Sequence, residues 1–377
     1  MLYFDHSATT PIRQEVLILL EEAQRLHFGN PSSTYKYGQK SRVLLEKARR
    51  QVADSICAKP NEIVFTGGGS ESNNIVLWNL LYSKNKHVIT SEIEHPAILN
   101  VLHQLRDFGI TYTALPVDQK GLVSLEAIKS AIQDDTGLIT IMMANNEVGT
   151  IEPIEAISKI AHENSILMHT DAVQAMGKIK IDVKSLDVDM LSLSAHKFYG
   201  PKGLGILYVK KGIKLNPLIG GGGQEHGLRS GTENIPSIAA TGLATQLASD
   251  QCIENAHHLT ELENQFKSAL TSRYSRAIFN GHPETHLPGL VSVAIPDVPS
   301  DFMIINLDLQ GIAISSGSAC SSGTVKPSRI LTSLGISNEL NVRTLRISFG
   351  KDNSADDVST LVDAMIGVIQ KASKYRV

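Results

Sequence analysis

The sequence predicts an α/β fold: a mainly parallel central sheet flanked by helices, with a smaller α+β unit beside it. Three observations carry this prediction. Short apolar runs alternate with amphipathic segments between about residues 60 and 210, the pattern changes after Pro288, and the polar motifs cluster just past the ends of the apolar runs. Alternating strand-like and helix-like stretches mark a sheet covered on both faces. Ligands of such sheets sit beyond the C-terminal strand ends.

In chain order, the strand-like runs are residues 62–66, 87–90, 138–143, 166–170, 190–194 and 205–209. Between them, 124–133 and 153–163 carry apolar residues at helical spacing. Residues 236–275 read as one long helix, with Ile238, Leu243, Leu247, Leu259, Leu262 and Phe266 on recurring faces. The smaller unit is expected from strands at 290–295, 313–315 and 344–349, a helix at 302–309 and a closing helix at 356–372. This predicts a large, cofactor-binding domain of residues 16–257. A small domain of residues 1–15 with 258–377 carries the segment around Cys320.

Of the 377 residues, 42% are hydrophobic and 19% charged, with a net charge of -3, which excludes a disordered chain and general affinity for nucleic acid. No stretch approaches the roughly 18 consecutive apolar residues of a membrane helix. Met1 to His6 shows neither a charged leader nor a long apolar core, so a cytoplasmic protein without a secretory signal is expected. Three widely spaced cysteines make no disulfide framework. Cys57 and Cys252 read as buried, inert thiols. Cys320 lies in a run of small polar residues and glycine with little to bury, so an exposed, mobile and reactive thiol is expected there.

The chemistry-bearing motifs follow the strand-like runs. Ser194-Ala195-His196-Lys197 sets a lysine just past 190–194, a place from which an amine can form a Schiff base with an aldehyde cofactor. Thr66-Gly67-Gly68-Gly69-Ser70 is a glycine turn at a helix start, where free N–H groups and the helix dipole suit a phosphate. Asp171 can pair with a protonated ring nitrogen, and Gln174, three residues on, can reach the same ring. His95 and Asn146 stand in two further post-strand loops; histidine suits ring stacking or proton transfer. The glycine-rich segment from Gly220 to Thr232 reads as a loop approaching a phosphate or another subunit. Amine, acid, flat stacking group and phosphate cradle together match pyridoxal 5′-phosphate.

The chain resembles the class V aminotransferase-fold enzymes, and among them the cysteine desulfurases of the nitrogenase-associated and housekeeping iron–sulfur type. The resemblance covers nearly the whole chain: Asp5-His6-Ser7-Ala8-Thr9-Thr10-Pro11, Phe28-Gly29-Asn30-Pro31-Ser32-Ser33, Glu94-His95, Asn145 to Gly149, Asp171 to Gln174, Ser194 to Lys197, Arg229 to Thr232, Ser315-Ser316-Gly317-Ser318-Ala319-Cys320 and Arg346. It implies a pyridoxal-phosphate fold type I. Lys197 then anchors the cofactor and carries the α-proton, Asp171 keeps the ring nitrogen protonated, Gln174 and Asn146 lie near the ring hydroxyl, and His95 stacks on the ring. Gly69, Ser70, Ser194 and His196 bind the phosphate, with Thr232 reaching in from the other subunit of a homodimer. Arg346 grips the substrate carboxylate, with Asn146 nearby. Cys320 attacks the sulfur of L-cysteine, leaving alanine and a persulfide for a sulfur-acceptor protein, a scaffold or a thiolation relay. No resident metal, nucleic acid or membrane partner is implied; Cys320 is the residue that would meet an iron–sulfur cluster held by an acceptor.

Gly69 and Ser70 stand where such enzymes often carry alanine and threonine, and Ala195 replaces a common glycine. The short stretch after the last helix predicts that the longer docking tail of housekeeping members is missing. Alternative readings are a selenocysteine lyase or an aminotransferase on the same fold, and a non-catalytic sulfur-relay protein. An aminotransferase has no use for the Cys320 segment.

Overall fold

The computed structural model describes residues 1–316 and 326–375; Cys320 lies outside the described residues. Among these, twelve strands are β1 (Leu2–Tyr3), β2 (Ile63–Thr66), β3 (His87–Ser91), β4 (Thr111–Leu115), β5 (Thr136–Thr140), β6 (Leu167–Asp171), β7 (Met190–Ser194), β8 (Gly205–Val209), β9 (Ile278–Asn280), β10 (Leu290–Ala294), β11 (Ile312–Ala313) and β12 (Thr344–Ser348). β2 to β8 form a seven-stranded sheet in the order β2-β8-β7-β6-β5-β3-β4. Strands β3 to β7 run parallel, and β8 is antiparallel to both its neighbours.

The central strands are apolar because helices cover both faces. Leu191 and Leu193 of β7 join Phe65, Ile89, Ile139, Met168 and Ile206 in one core. Met190 of the same strand faces the other way, with Leu77, Val88, Leu102, Leu138 and Leu207. Each such side chain stabilises the fold by about 1.5–3 kcal/mol on burial. Beneath the strand ends, His169 of β6 bridges Thr140 Oγ1 (2.8 Å) and Ser192 Oγ (3.0 Å) across three strands. Complete burial pushes that histidine down to about 3, so it is a neutral strut.

A second sheet, β12-β10-β9, is antiparallel throughout. Its core contains Phe4, Leu262, Phe266, Val293, Ile347, Phe349 and Met365, so both chain ends contribute to it. The closing helix is Ala355–Tyr375. Among the described residues no helix is long and apolar enough to cross a membrane.

Three details differ from the sequence reading. The expected single helix over 236–275 is two, Ile235–Asp250 and Cys252–Arg273. The break falls at Gln251 (φ -101°, ψ 9°), whose Oε1 accepts from Arg13 Nη1 at 2.6 Å. It allows the first helix to pack into the large core through Ile238 and Ala244, and the second into the small core through Leu262 and Phe266. β1, β4 and β9 were not expected, while the strand expected at 313–315 is β11, paired in parallel with β1; β4 is a half-exposed edge whose Thr-Tyr-Thr-Ala-Leu lacks an apolar run. Cys57 is half-buried at φ +60° instead of buried, whereas Cys252 is buried as expected. Burial first, then Asp182, raises the Cys57 thiol above its ordinary value.

Candidate active site

The parallel strands deliver their C-terminal loops to one end of the sheet. Ser194 closes β7, and a single 3₁₀ turn, Ala195–Lys197, follows it. This turn directs the half-buried Lys197 toward the N-terminal segment, where its Nζ donates to the Ser7 carbonyl (2.6 Å) and the Ala8 carbonyl (2.8 Å). Burial, followed by the nearby charge of Arg346, pushes the amine down to about 8. A lysine so perturbed holds a usable fraction of neutral, nucleophilic amine near neutral pH.

Asp171 ends β6 and is buried. Its Oδ1 accepts from the Val173 N–H (3.0 Å) and its Oδ2 from Asn73 Nδ2 (2.7 Å). Gln174 is buried three residues on, and its Nε2 donates to the Ser7 carbonyl at 3.0 Å, the same oxygen that receives Lys197.

The glycine turn lies between β2 and the helix Gly69–Trp78. Gly68 adopts φ +155°, and a Cβ on Gly205 of β8 would stand 2.4 Å from the Gly68 carbonyl carbon, so turn and sheet meet backbone to backbone. A Cβ on Gly69 would stand 2.7 Å from Val173 Cγ2. The turn, with Ser70, Ser194, His196 and Thr9, lines an open pocket. His196 Nδ1 is 3.1 Å from Thr9 Oγ1, and burial pushes the ring down to about 4, so it is neutral at physiological pH.

His95 caps the helix Pro96–Leu105, its Nδ1 accepting from the Ala97 N–H at 3.1 Å. A backbone N–H only donates, so the neutral ring carries its proton on Nε2. The ring is solvent-exposed at the mouth of the site, yet the surrounding walls desolvate it and lower its pKa, with Lys197 and Arg329 adding to the effect. Its neighbour Glu94 is fully buried; Oε1 accepts from Ser91 Oγ (2.7 Å) and the Met142 N–H (2.8 Å), and burial pushes it up to about 8. Its stabilising neutral form is therefore fully present below the ordinary carboxylate pKa and lost as pH rises through about 8. A Glu94→Gln protein, neutral at every pH, should lose less melting temperature than the native protein between pH 5 and 9. Parallel melting curves across that range would refute this linkage.

Arg346 of β12 is buried opposite Lys197. Its Nη2 pairs with Asp5 Oδ1 at 2.7 Å and its Nη1 donates to the Asn146 carbonyl at 3.1 Å. Its buried Nε and the Asn146 Oδ1 have no hydrogen-bond partner among the described residues. Thr232 is exposed and does not line the glycine-turn pocket of its own chain.

The structure thus gathers Lys197, Asp171, Gln174, Asn146, Arg346, His95 and the glycine turn at one sheet end, with Thr232 on the outside. Sequence reasoning gave no separate role to Asp5, Asn73 or Lys178, which hold Arg346, Asp171 and Gln174 from behind, nor to Glu94, which ties Ser91 to the Met142 N–H. Only Asp5 and Glu94 fall within the motifs quoted above.

A lysine amine, a buried carboxylate, a guanidinium and a glycine turn at a helix start, gathered at the carboxyl end of a parallel sheet, match an α/β enzyme of the aminotransferase kind. The aminotransferase class-V profile matches residues 2–361. Over 373 residues the chain is 43% identical to the cysteine desulfurase IscS of Methanosarcina thermophila, covering 98% of this chain and 92% of that protein. The solved structure of a NifS-like protein superposes with a TM-score of 0.93 at 35% identity, covering 98% of this chain and 99% of that one. SspA in complex with cysteine superposes at 0.80 with 36% identity, covering 93% and 99% respectively. The chain belongs to the class-V aminotransferase family.

Proposed function

We propose that this protein is a pyridoxal-phosphate-dependent cysteine desulfurase, which converts L-cysteine to L-alanine and passes the sulfur to Cys320 as a persulfide. The observation that carries this reading is the half-buried Lys197 amine, lowered to about 8 and held on two carbonyls between Asp171, the glycine turn and Arg346. The residues present fit the cofactor. The first N–H groups of the helix Gly69–Trp78 have no partner within their helix, and a side chain at Gly69 would crowd that turn against Val173.

Gly69, Ser70, Ser194 and His196 would hold the phosphate, Asp171 the ring nitrogen, and Gln174 and Asn146 the ring hydroxyl. Bound there, pyridoxal phosphate supplies a sink for the electrons released at the substrate α-carbon. Arg346, fixed by Asp5 and the Asn146 carbonyl, offers its unpartnered Nε to the substrate carboxylate. Lys197 removes and returns the α-proton. His95, tied by its cap, presents an Nε2–H donor; acting as a base at Nδ1 requires it to release Ala97.

Cys320 Sγ, as thiolate, bonds to the substrate sulfur while the carbon–sulfur bond breaks, and the carbon skeleton leaves as alanine after protonation. Two described neighbours support this placement. Ser315, five residues before Cys320, exchanges two backbone hydrogen bonds with Arg346, and five residues of chain reach at most about 18 Å from Ser315. On the far side, Ser328 Oγ donates to Glu147 at 2.5 Å, beside Asn146. The division into residues 16–257 and residues 1–15 with 258–377 belongs to the same reading, as does a cytoplasmic homodimer in which Thr232 completes the partner's phosphate site. Exposed Phe28 and Tyr37, whose ring centroids lie 5.3 Å apart, and exposed Leu218 and Ile219 beside the glycine run support the dimer.

The direct test is incubation of the holoenzyme with L-cysteine. Alanine should form, and mass spectrometry should find one added sulfur on Cys320. 3-Mercaptopyruvate in place of alanine would show transamination, and pyruvate with free sulfide would show β-elimination; either defeats the proposal.

A further inference from the structure

Lys178 is a buried lysine of this site region that the chemistry above does not use. It follows Gly177 on the loop that leaves Gln174, and its side chain is buried. Among the described residues no carboxylate lies within ion-pair distance of it. Its Nζ instead donates to Gln174 Oε1 at 3.2 Å. The other end of that amide donates to the Ser7 carbonyl at 3.0 Å, and the same carbonyl receives Lys197 Nζ at 2.6 Å.

The chain of contacts has one possible sense. An ammonium only donates and a carbonyl only accepts, so the Gln174 amide has its oxygen toward Lys178 and its nitrogen toward Ser7. Lys178 and Lys197 also line one small cavity together with His6, Tyr199 and Phe349. A buried lysine without a carboxylate is costly, and such groups are kept where they do something besides hold the fold. Burial, with Lys197 and Arg346 next in effect, pushes its amine down to about 7.

We propose that Lys178 is a positioning residue for Lys197, acting through the Gln174 amide and the shared Ser7 carbonyl. Lys178 fixes the orientation of Gln174; Gln174 fixes Ser7; and Ser7 holds the reacting amine on the line it needs. This rests on the reading of Lys197 as the cofactor lysine.

The test uses apo-protein of the native sequence and of Lys178→Met, Gln174→Met and the double variant. Each is mixed with pyridoxal 5′-phosphate, and covalent capture is followed by visible absorbance from pH 6 to 9. Lys178→Met should slow capture about tenfold, corresponding to ~1.4 kcal/mol, the scale of one hydrogen bond. In the Gln174→Met background the same change should slow it no further. In the reconstituted enzyme, kcat should fall by a similar factor with KM held within about twofold.

A Lys178→Met protein that captures the cofactor at the native rate overturns the inference. So does a double variant whose two losses multiply, because Lys178 would then act without Gln174. If Lys178→Met does not fold, as judged by thermal unfolding, Lys178→Gln is read by the same two criteria. Native apo-protein that captures no pyridoxal phosphate at Lys197 defeats the functional reading itself. Native protein that does, beside an indistinguishable variant, defeats only the role given to Lys178.

Discussion

Lys197→Ala is expected to fold and to keep the shape of the site, but to lose the yellow absorbance of a covalently held cofactor and at least about 10³-fold in alanine formation. The size of the loss follows from two functions meeting at one atom, since the nucleophile and the proton carrier both leave with Nζ. Folding is spared because the amine adds no ion pair to the core; it only donates to the Ser7 and Ala8 carbonyls. The native protein provides the control. Its amine sits near 8, so cofactor capture by apo-protein should rise with pH as the amine loses its proton and level off above that value. Capture that is flat between pH 6 and 9, or an alanine variant with an unchanged visible spectrum, would assign the chemistry to another group.

Cys320→Ser is expected to separate the two halves of the reaction. It should bind cofactor and L-cysteine with near-native affinity, because Arg346, Asn146 and the glycine turn are untouched. Alanine formation should fall roughly 10²-fold or more, and no protein-bound sulfur should accumulate, because serine presents no thiolate. The informative comparison is with Cys252→Ser and Cys57→Ser. Both of those thiols are raised above their ordinary pKa, chiefly by burial, so their loss should leave turnover unaltered. Persulfide recovered on either of them in the Cys320→Ser protein would remove Cys320 from its place in the reaction.

Much of this architecture was legible in the chain because its signals are local. Met190 to Ser194 is buried at every position, and an apolar run ending in serine, histidine and lysine announces both a central strand and the residues at its end. Asp171 and Gln174 are readable in the same way. The edge strand Thr111–Leu115 was not, since an edge needs no apolar run. The break at Gln251 was missed because periodicity continues across it while the buried face changes core. Long-range pairings leave no mark in a single sequence: Asp5 and Arg346 are 341 positions apart, and Asn73 and Asp171 are 98 apart. Lys178 sits in Gly-Lys-Ile-Lys, which reads as a solvated basic turn until the fold buries its first lysine.

The fit of Gly69 against Val173 also constrains how this protein can change over generations. A methyl group at position 69 would come within 2.7 Å of Val173 Cγ2, on the residue whose N–H steadies Asp171. Alanine at 69 is therefore a poor first step here, and becomes acceptable only after position 173 has shrunk. The reverse order is open, because a smaller residue at 173 leaves only a small gap. The two side chains thus compete for one space, and the residue that position 69 can accept is set by the residue at 173.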